Sequence, residues 1–210
     1  MQKNTRIKPI KFGAVTWNTN RFSIKLKHDG KVLNFGEEDT IGLLKVTPNK
    51  VQNMHKEHHN YIRIAIHLAT QAKEKGNHPF GAVLVNASGE LLLESENTVI
   101  SENDITGHAE LNLVKKAAQL YDKSFLATCT LYSSTEPCPM CAGSIFWSNI
   151  RKVVYGLSER SFYKLFDKNK GDILYLQCKD VLNKGNKKIQ VIGPVLEEEA
   201  LESHIGFWEF

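Results

Sequence analysis

The chain has 210 residues, 41% of them hydrophobic and 24% charged, with a formal net charge of +4. No apolar run approaches the ~20 residues of a membrane span, and the basic start lacks the apolar stretch of a secretory signal. A cytoplasmic protein with one compact core and an appendage is therefore expected, with no membrane partner. Residues 1–50 hold ten Lys and Arg against four Asp and Glu, a local net of +6 that leaves −2 for the rest. Within them Ile24-Lys25-Leu26-Lys27 alternates like a half-exposed strand, and His28-Asp29-Gly30-Lys31 is a turn signal leading to Val32 and Leu33. We read 1–50 as a basic, β-rich extension and 51–210 as the main domain. The charge excess suits a packed ribbon or dimer element with a solvated face better than a nucleic-acid site.

In the main domain Ile62, Ala65, Ile66 and Ala69 recur at helical spacing over residues 57–75, with Gly76 as a C-terminal stop. Residues 81–86 and 91–95 read as strands joined across the turn-rich Asn86-Ala87-Ser88-Gly89. A helix follows over 108–121, with Leu111, Val114, Ala118 and Tyr121 inward. Then come a strand over 129–133, a helix over 139–148, a strand over 152–155, a fifth strand over 189–192 and a C-terminal helix over 197–207. Such alternation implies a sheet sandwiched by helices.

The chemistry concentrates in His108-Ala109-Glu110 and Pro137-Cys138-Pro139-Met140-Cys141. One imidazole and two thiolates make three zinc ligands and leave the fourth tetrahedral position open, which marks a catalytic rather than a structural site. Zinc lowers the pKa of bound water to roughly 7. Glu110 sits two residues after His108 at a helix start, so it points to the side of the metal and is placed to shuttle protons. Cys138 and Cys141 open a second helix, whose N-terminus favours their thiolates. Cys129 and Cys178 have no close partner in sequence and are expected to pack as small apolar groups.

The two segments form the H-x-E and P-C-x-x-C signature of zinc deaminases. With Pro79-Phe80-Gly81-Ala82-Val83, Asn97 and Thr135-Glu136-Pro137-Cys138-Pro139-Met140-Cys141-Ala142-Gly143, the chain resembles the cytidine-deaminase-like superfamily over residues 57–210. Within it, the chain is most similar to the guanine, nucleoside and tRNA adenosine deaminase branch. The resemblance implies a three-layer α/β/α fold of the α/β class, with a mostly five-stranded mixed sheet. It implies a zinc cofactor on His108, Cys138 and Cys141, Glu110 as the catalytic acid-base, and Asn97, Phe80, Ala109 and Trp147 as substrate contacts. A small nucleobase or nucleoside substrate and a homodimer are expected.

Substrate choice is less legible. Phe80 is read as stacking on a base, and Asn97 offers both a donor and an acceptor to a ring edge. Trp147 resembles a position where bacterial guanine deaminases carry Trp. Residues 158–170 lack a clear counterpart of the Asp-Asp pair that supplies those enzymes with an essential carboxylate, Asp167 being a shifted candidate. The tail from Gly193 to Phe210 resembles that of bacterial nucleoside deaminases and is acidic and aromatic, unlike a phosphate-facing tail. Its Trp208 and Phe210 either close over a pocket or enter a subunit interface. The reading is hydrolytic deamination of a free purine base or nucleoside, guanine-type first. The alternatives are tRNA adenosine deamination, then cytosine or cytidine, or a base-binding module without turnover.

Overall fold

The structure is a computed structural model that describes the backbone of residues 24–28, 31–35, 48–165 and 173–208, with side chains from residue 57 onward. The chain divides into two units, 1–53 and 54–210. In the first, strands β1 (Ile24–His28) and β2 (Lys31–Phe35) pair antiparallel with His28 opposite Lys31, the register that the alternating sequence and its Asp29-Gly30 dipeptide favour.

Helix α1 (Pro48–Glu74) is followed by β3 (Gly81–Val85), β4 (Leu91–Glu96), the short α2 (Val99–Glu102), α3 (Ala109–Leu120) and α4 (Lys123–Leu126). The chain continues through β5 (Thr130–Thr135), α5 (Pro139–Ser148), β6 (Lys152–Leu157), α6 (Glu159–Phe162), a 3-10 turn (Tyr163–Leu165), α7 (Cys178–Leu182), β7 (Gln190–Ile192) and α8 (Glu197–Glu202). The five strands form one sheet in the order β4-β3-β5-β6-β7. The β3–β4 and β3–β5 pairs are antiparallel, whereas β5–β6 and β6–β7 are parallel, so the sheet is mixed as expected.

Period-two alternation divides each central strand between two cores. Ala82, Leu84, Leu131 and Val153 face α3 and α5, where they meet Ala109, Leu113, Ala142 and Ile145. Val83, Val85, Tyr132 and Val154 face the opposite way, onto Ile62 and Leu68 of α1. This is the three-layer α/β/α arrangement. Gly81 is required where β3 crosses α1, because a Cβ there would run into the Ala65 carbonyl and Leu68.

Three expectations need correction. The inward stripe of α3 is Ala109, Glu110, Leu113, Val114 and Ala117, while Ala118 is exposed and Leu111 and Tyr121 are only half-buried. Counting apolar residues set the phase wrong because the stripe includes a buried carboxylate. The C-terminal helix stops at Glu202 rather than 207, and Gly206 at φ 71° marks the turn that replaces its last part. Short helices α2, α4, α6 and α7 fall in stretches read as connections, and a helix this brief shows no apolar period. The caps are its signal: the Asp122 carboxylate accepts from Ser124 N and Phe125 N, and Ser158 Oγ from Ser161 N. Cys129 and Cys178 are buried free thiols. Among the described residues no helix is long and apolar enough to cross a membrane.

Candidate active site

The site forms beyond the carboxyl ends of parallel strands β5 and β6, where open α/β sheets leave a crevice for ligands. Helices α3 and α5 begin there. His108 is the N-cap residue of α3 and Cys138 that of α5, with Pro139 in the first turn, so both ligand-bearing helices point their positive ends at the same spot. The loop before His108 is held tightly. Asn112 Nδ2 lies within hydrogen-bond distance of Glu96 O, Thr98 Oγ1 and Gly107 O, and a Cβ on Gly107 would come within 2.8 Å of Thr98 Oγ1.

His108 Nδ1 lies 3.6 Å from Cys138 Sγ and 3.5 Å from Cys141 Sγ, and all three donor atoms fall within 4.8 Å of one another. A tetrahedral zinc with Zn–N near 2.0 Å and Zn–S near 2.3 Å spaces its nitrogen and sulfur ligands about 3.6 Å apart. The donor set and its spacing therefore fit zinc with three protein ligands. The Cys141 thiol, and after it the His108 imidazole, hold Cys138 down to about 4. Its hydrogen bond to Cys138, burial and nearby Glu110 push Cys141 well above the usual thiol range.

Glu110 is buried beside this triangle. Ser133 Oγ donates to its Oε1 at 2.9 Å, and Oε2 lies 3.5 Å from Cys141 Sγ. Burial, with the Cys138 charge adding to it, raises the carboxyl above its ordinary range.

A cavity of about 120 Å³ opens onto these groups, lined by Phe80, His108, Glu110, Thr135, Glu136, Cys138, Glu159, Phe162 and Tyr163. That is well below the ~300–1,000 Å³ of pockets for drug-sized ligands and suits a small planar ring. A larger open groove of about 540 Å³ runs past Gln71, Glu94 and Lys115 and touches none of the metal-binding side chains. The C-terminal segment backs the wall of the smaller cavity. Trp208 lies 6.1 Å from Phe80 and 5.5 Å from Phe162 between ring centroids. Burial lowers His204 to about 3, so it is neutral. Its Nδ1 accepts from Trp208 Nε1 at 3.2 Å, which leaves Nε2 to donate to Thr135 Oγ1 at 3.1 Å.

The structure brings His108, Glu110, Cys138, Cys141 and Phe80 together as the sequence suggests. Asn97 is buried at the end of β4. Its backbone N donates to Phe80 O and its Oδ1 accepts from Val99 N, while Nδ2 has no partner among the described residues. Ala109 sits in the first turn of α3 with its side chain in the core rather than on the cavity wall. Trp147 is not brought to the pocket. At the end of α5 its ring is 72% exposed, beside a groove lined by Val114, Tyr121 and Leu126, because the helix turns it away from the end that carries the cysteines. Asp167 and Phe210 lie outside the described residues.

Sequence reasoning missed Glu136 and Glu159. Glu136 accepts from Glu159 N through Oε2 and from Cys178 N through Oε1, both at 3.1 Å, and so ties two loops to the site. Glu159 lines the cavity and is 4% exposed. Burial, then Glu136, push it up to about 7. The available signal was an acidic residue just past the carboxyl end of a strand bonded in parallel.

Residues 55–157 match the family described as the cytidine and deoxycytidylate deaminase zinc-binding region. The chain is 40% identical over 154 residues to a probable cytosine deaminase of Schizosaccharomyces pombe, covering 71% of this chain and 91% of that protein. It is 36% identical over 122 residues to the guanine deaminase of Bacillus subtilis, covering 53% and 78%. Among solved structures, a deaminase acting on A34 of transfer RNA superposes with a TM-score of 0.51 at 25% identity, covering 69% of this chain and 98% of that one.

Proposed function

The chain belongs to the zinc-binding cytidine and deoxycytidylate deaminase family and is a hydrolase of C–N bonds, and from that premise we propose that it deaminates a free purine base or nucleoside, guanine-type first. The observation that carries this reading is the small cavity, which opens onto His108 and Cys138 of the metal-binding triangle and buried Glu110 and has aromatic rings along its walls. His108, Cys138 and Cys141 would hold the ion. When bound, zinc supplies the Lewis acidity that makes water nucleophilic at neutral pH.

The chain's own groups do the rest. Glu110 takes one proton from the attacking water and delivers it to the ring nitrogen beside the reacting carbon, then takes the remaining hydroxyl proton and delivers it to the amine, which departs as ammonia. Its raised pKa suits a group that must both accept and release a proton. Ser133 fixes one of its oxygens. Phe80 offers a face for the ring, and the unpartnered Asn97 Nδ2 offers a donor to a ring acceptor. Closure of the cavity by Phe162 and Tyr163 keeps bulk water away from the reacting edge.

A second substrate, cytosine, is supported by the 40% identity to the Schizosaccharomyces pombe protein over nearly its whole length. Transfer RNA adenosine deamination and base binding without turnover are the further alternatives. Ammonia release measured over guanine, adenine and cytosine, their nucleosides and transfer RNA distinguishes all of these. The reading predicts release from at least one purine base or nucleoside, and release from none of these overturns it. We also expect a homodimer, supported by the exposed Trp147 beside its apolar groove, and sedimentation tests it.

A further inference from the structure

We propose that Trp208, His204 and Thr135 form a hydrogen-bonded chain that keeps the Thr135 hydroxyl a donor to the substrate's oxo group, so that the site selects guanine or cytosine over adenine. The inference rests on the deaminase reading above and narrows its substrate class. A threonine hydroxyl has two acceptor lone pairs and one proton to give. Thr135 lines the cavity yet is only 3% exposed, and its hydroxyl has one hydrogen-bond partner among the described residues, His204 Nε2 at 3.1 Å.

The direction of that bond is set one residue further back. An indole N–H only donates, so Trp208 Nε1 makes His204 Nδ1 an acceptor across 3.2 Å. Burial holds the imidazole at about 3, so it is neutral and carries its single proton on Nε2. Nε2 then donates to Thr135 Oγ1, which fills one lone pair and leaves the hydroxyl proton to be given elsewhere. With the other tautomer the bare Nε2 would take that proton itself, and the cavity would meet an acceptor instead of a donor. The imidazole is held in place by Phe80 and Phe162, whose ring centroids lie 5.2 and 5.0 Å from its own. Buried hydroxyls find acceptors, and with none in the protein among the described residues, the cavity is where one arrives.

The place of Thr135 on β5 identifies the acceptor. Ser133, which holds Glu110, and Thr135 lie two residues apart on that strand, roughly 6.6 Å along it. Glu110 and the metal-binding triangle address the reacting carbon, so the Thr135 hydroxyl addresses the ring a short way beyond it. In guanine and in cytosine one ring nitrogen separates the reacting carbon from a carbonyl carbon, whose oxygen only accepts. The carbon in the same place in adenine carries hydrogen. A buried donor that meets a C–H instead of a carbonyl stays unpaired, and sites of this kind discriminate strongly against the analogue that lacks the matching group.

The test, on zinc-loaded full-length protein, uses pairs that differ in that oxygen: guanine against 2-aminopurine and cytosine against 4-aminopyrimidine, with adenine alongside. Calorimetric binding of xanthine against purin-2-one and of uracil against pyrimidin-4-one reads the same contact without turnover. The wild type is expected to favour the oxo compound by about tenfold or more in kcat/KM and in binding. Thr135→Val, which keeps the shape and removes the hydroxyl, should cut that ratio about tenfold, and Thr135→Ser should retain it. Trp208→Phe, which keeps a ring and removes the N–H, should lower the ratio several-fold with zinc content unchanged. Damage to folding or to the metal slows both members of a pair alike and leaves the ratio where it was. Wild-type ratios near one, adenine deaminated faster than guanine and cytosine, or a ratio unchanged in Thr135→Val overturn the proposal and leave the deaminase reading intact. A ratio unchanged in Trp208→Phe overturns the chain behind Thr135. No ammonia from any compound overturns the deaminase reading, and product-binding ratios equal in wild type and Thr135→Val then overturn the role of Thr135 as well.

Discussion

The Ser133 hydroxyl donates to Glu110 Oε1 at 2.9 Å, joining the middle sheet strand to a carboxyl that stands beside the metal-binding triangle. With Oε1 tethered, Oε2 is the oxygen turned toward the metal-binding triangle, 3.5 Å from Cys141 Sγ. Glu110→Gln is therefore expected to keep its zinc and fold while losing about two to four orders of magnitude in kcat. Ser133→Ala should lower kcat with KM little changed, since the carboxyl stays but is no longer aimed. Steady-state kinetics with zinc analysis checks both, and near-normal kcat in Glu110→Gln would move the proton-transfer role to another group.

His108→Ala and Cys138→Ala should each lose metal and activity together. Because binding the ion adds to folding free energy, chelation of the wild type should also lower its melting temperature. Elemental analysis showing a full complement of zinc in either variant would remove that residue from the ligand set.

Asn97→Ala tests the orphaned amide at the end of β4. Removing a donor worth about 1–3 kcal/mol to a buried acceptor should cut kcat/KM by roughly tenfold to a hundredfold, with zinc content intact. Unchanged kinetics would leave Asn97 with its hydrogen bond to Val99 N as its whole role.

Glu159 gives the ligand-free protein a pH signature. Its pKa in the fold, about 7, lies above that of an ordinary glutamate, so its stabilising contribution is complete below about 4.5 and is lost as the pH rises to about 7. Glu136, Cys138 and Tyr163 are the titratable groups acting on it. Wild-type stability should therefore fall relative to Glu159→Gln between about pH 4.5 and 7 and run parallel above. Denaturant unfolding across that range measures the difference, and a constant gap between the two proteins would contradict the assignment.

Much of the site was legible because metal chemistry restricts residue types severely. Few patterns other than His108, Cys138 and Cys141 with Glu110 leave an open zinc position beside a free carboxylate. The sheet was legible for a similar reason: runs such as Gly81-Ala82-Val83-Leu84-Val85 are buried on both faces, although the extents of β4, β5 and β6 were underestimated. Glu159 was not legible, because one acid among many gains meaning only when a strand end, a cap and Glu136 deliver it to a cavity. Trp147 misled for the opposite reason. Its distance from Cys141 in sequence is short, but the rotation of the helix separates them.

Glu136 also bears on how this protein can change. A single carboxylate clips Glu159 and Cys178, the two ends of an intervening stretch, to the same point. The pocket wall is thereby fastened at its margins, and Phe162 and Tyr163 between them can be exchanged to reshape the cavity while those margins hold. New variants of this stretch can thus be tried one at a time against a fixed reaction centre, which makes it the natural place for engineered libraries to begin.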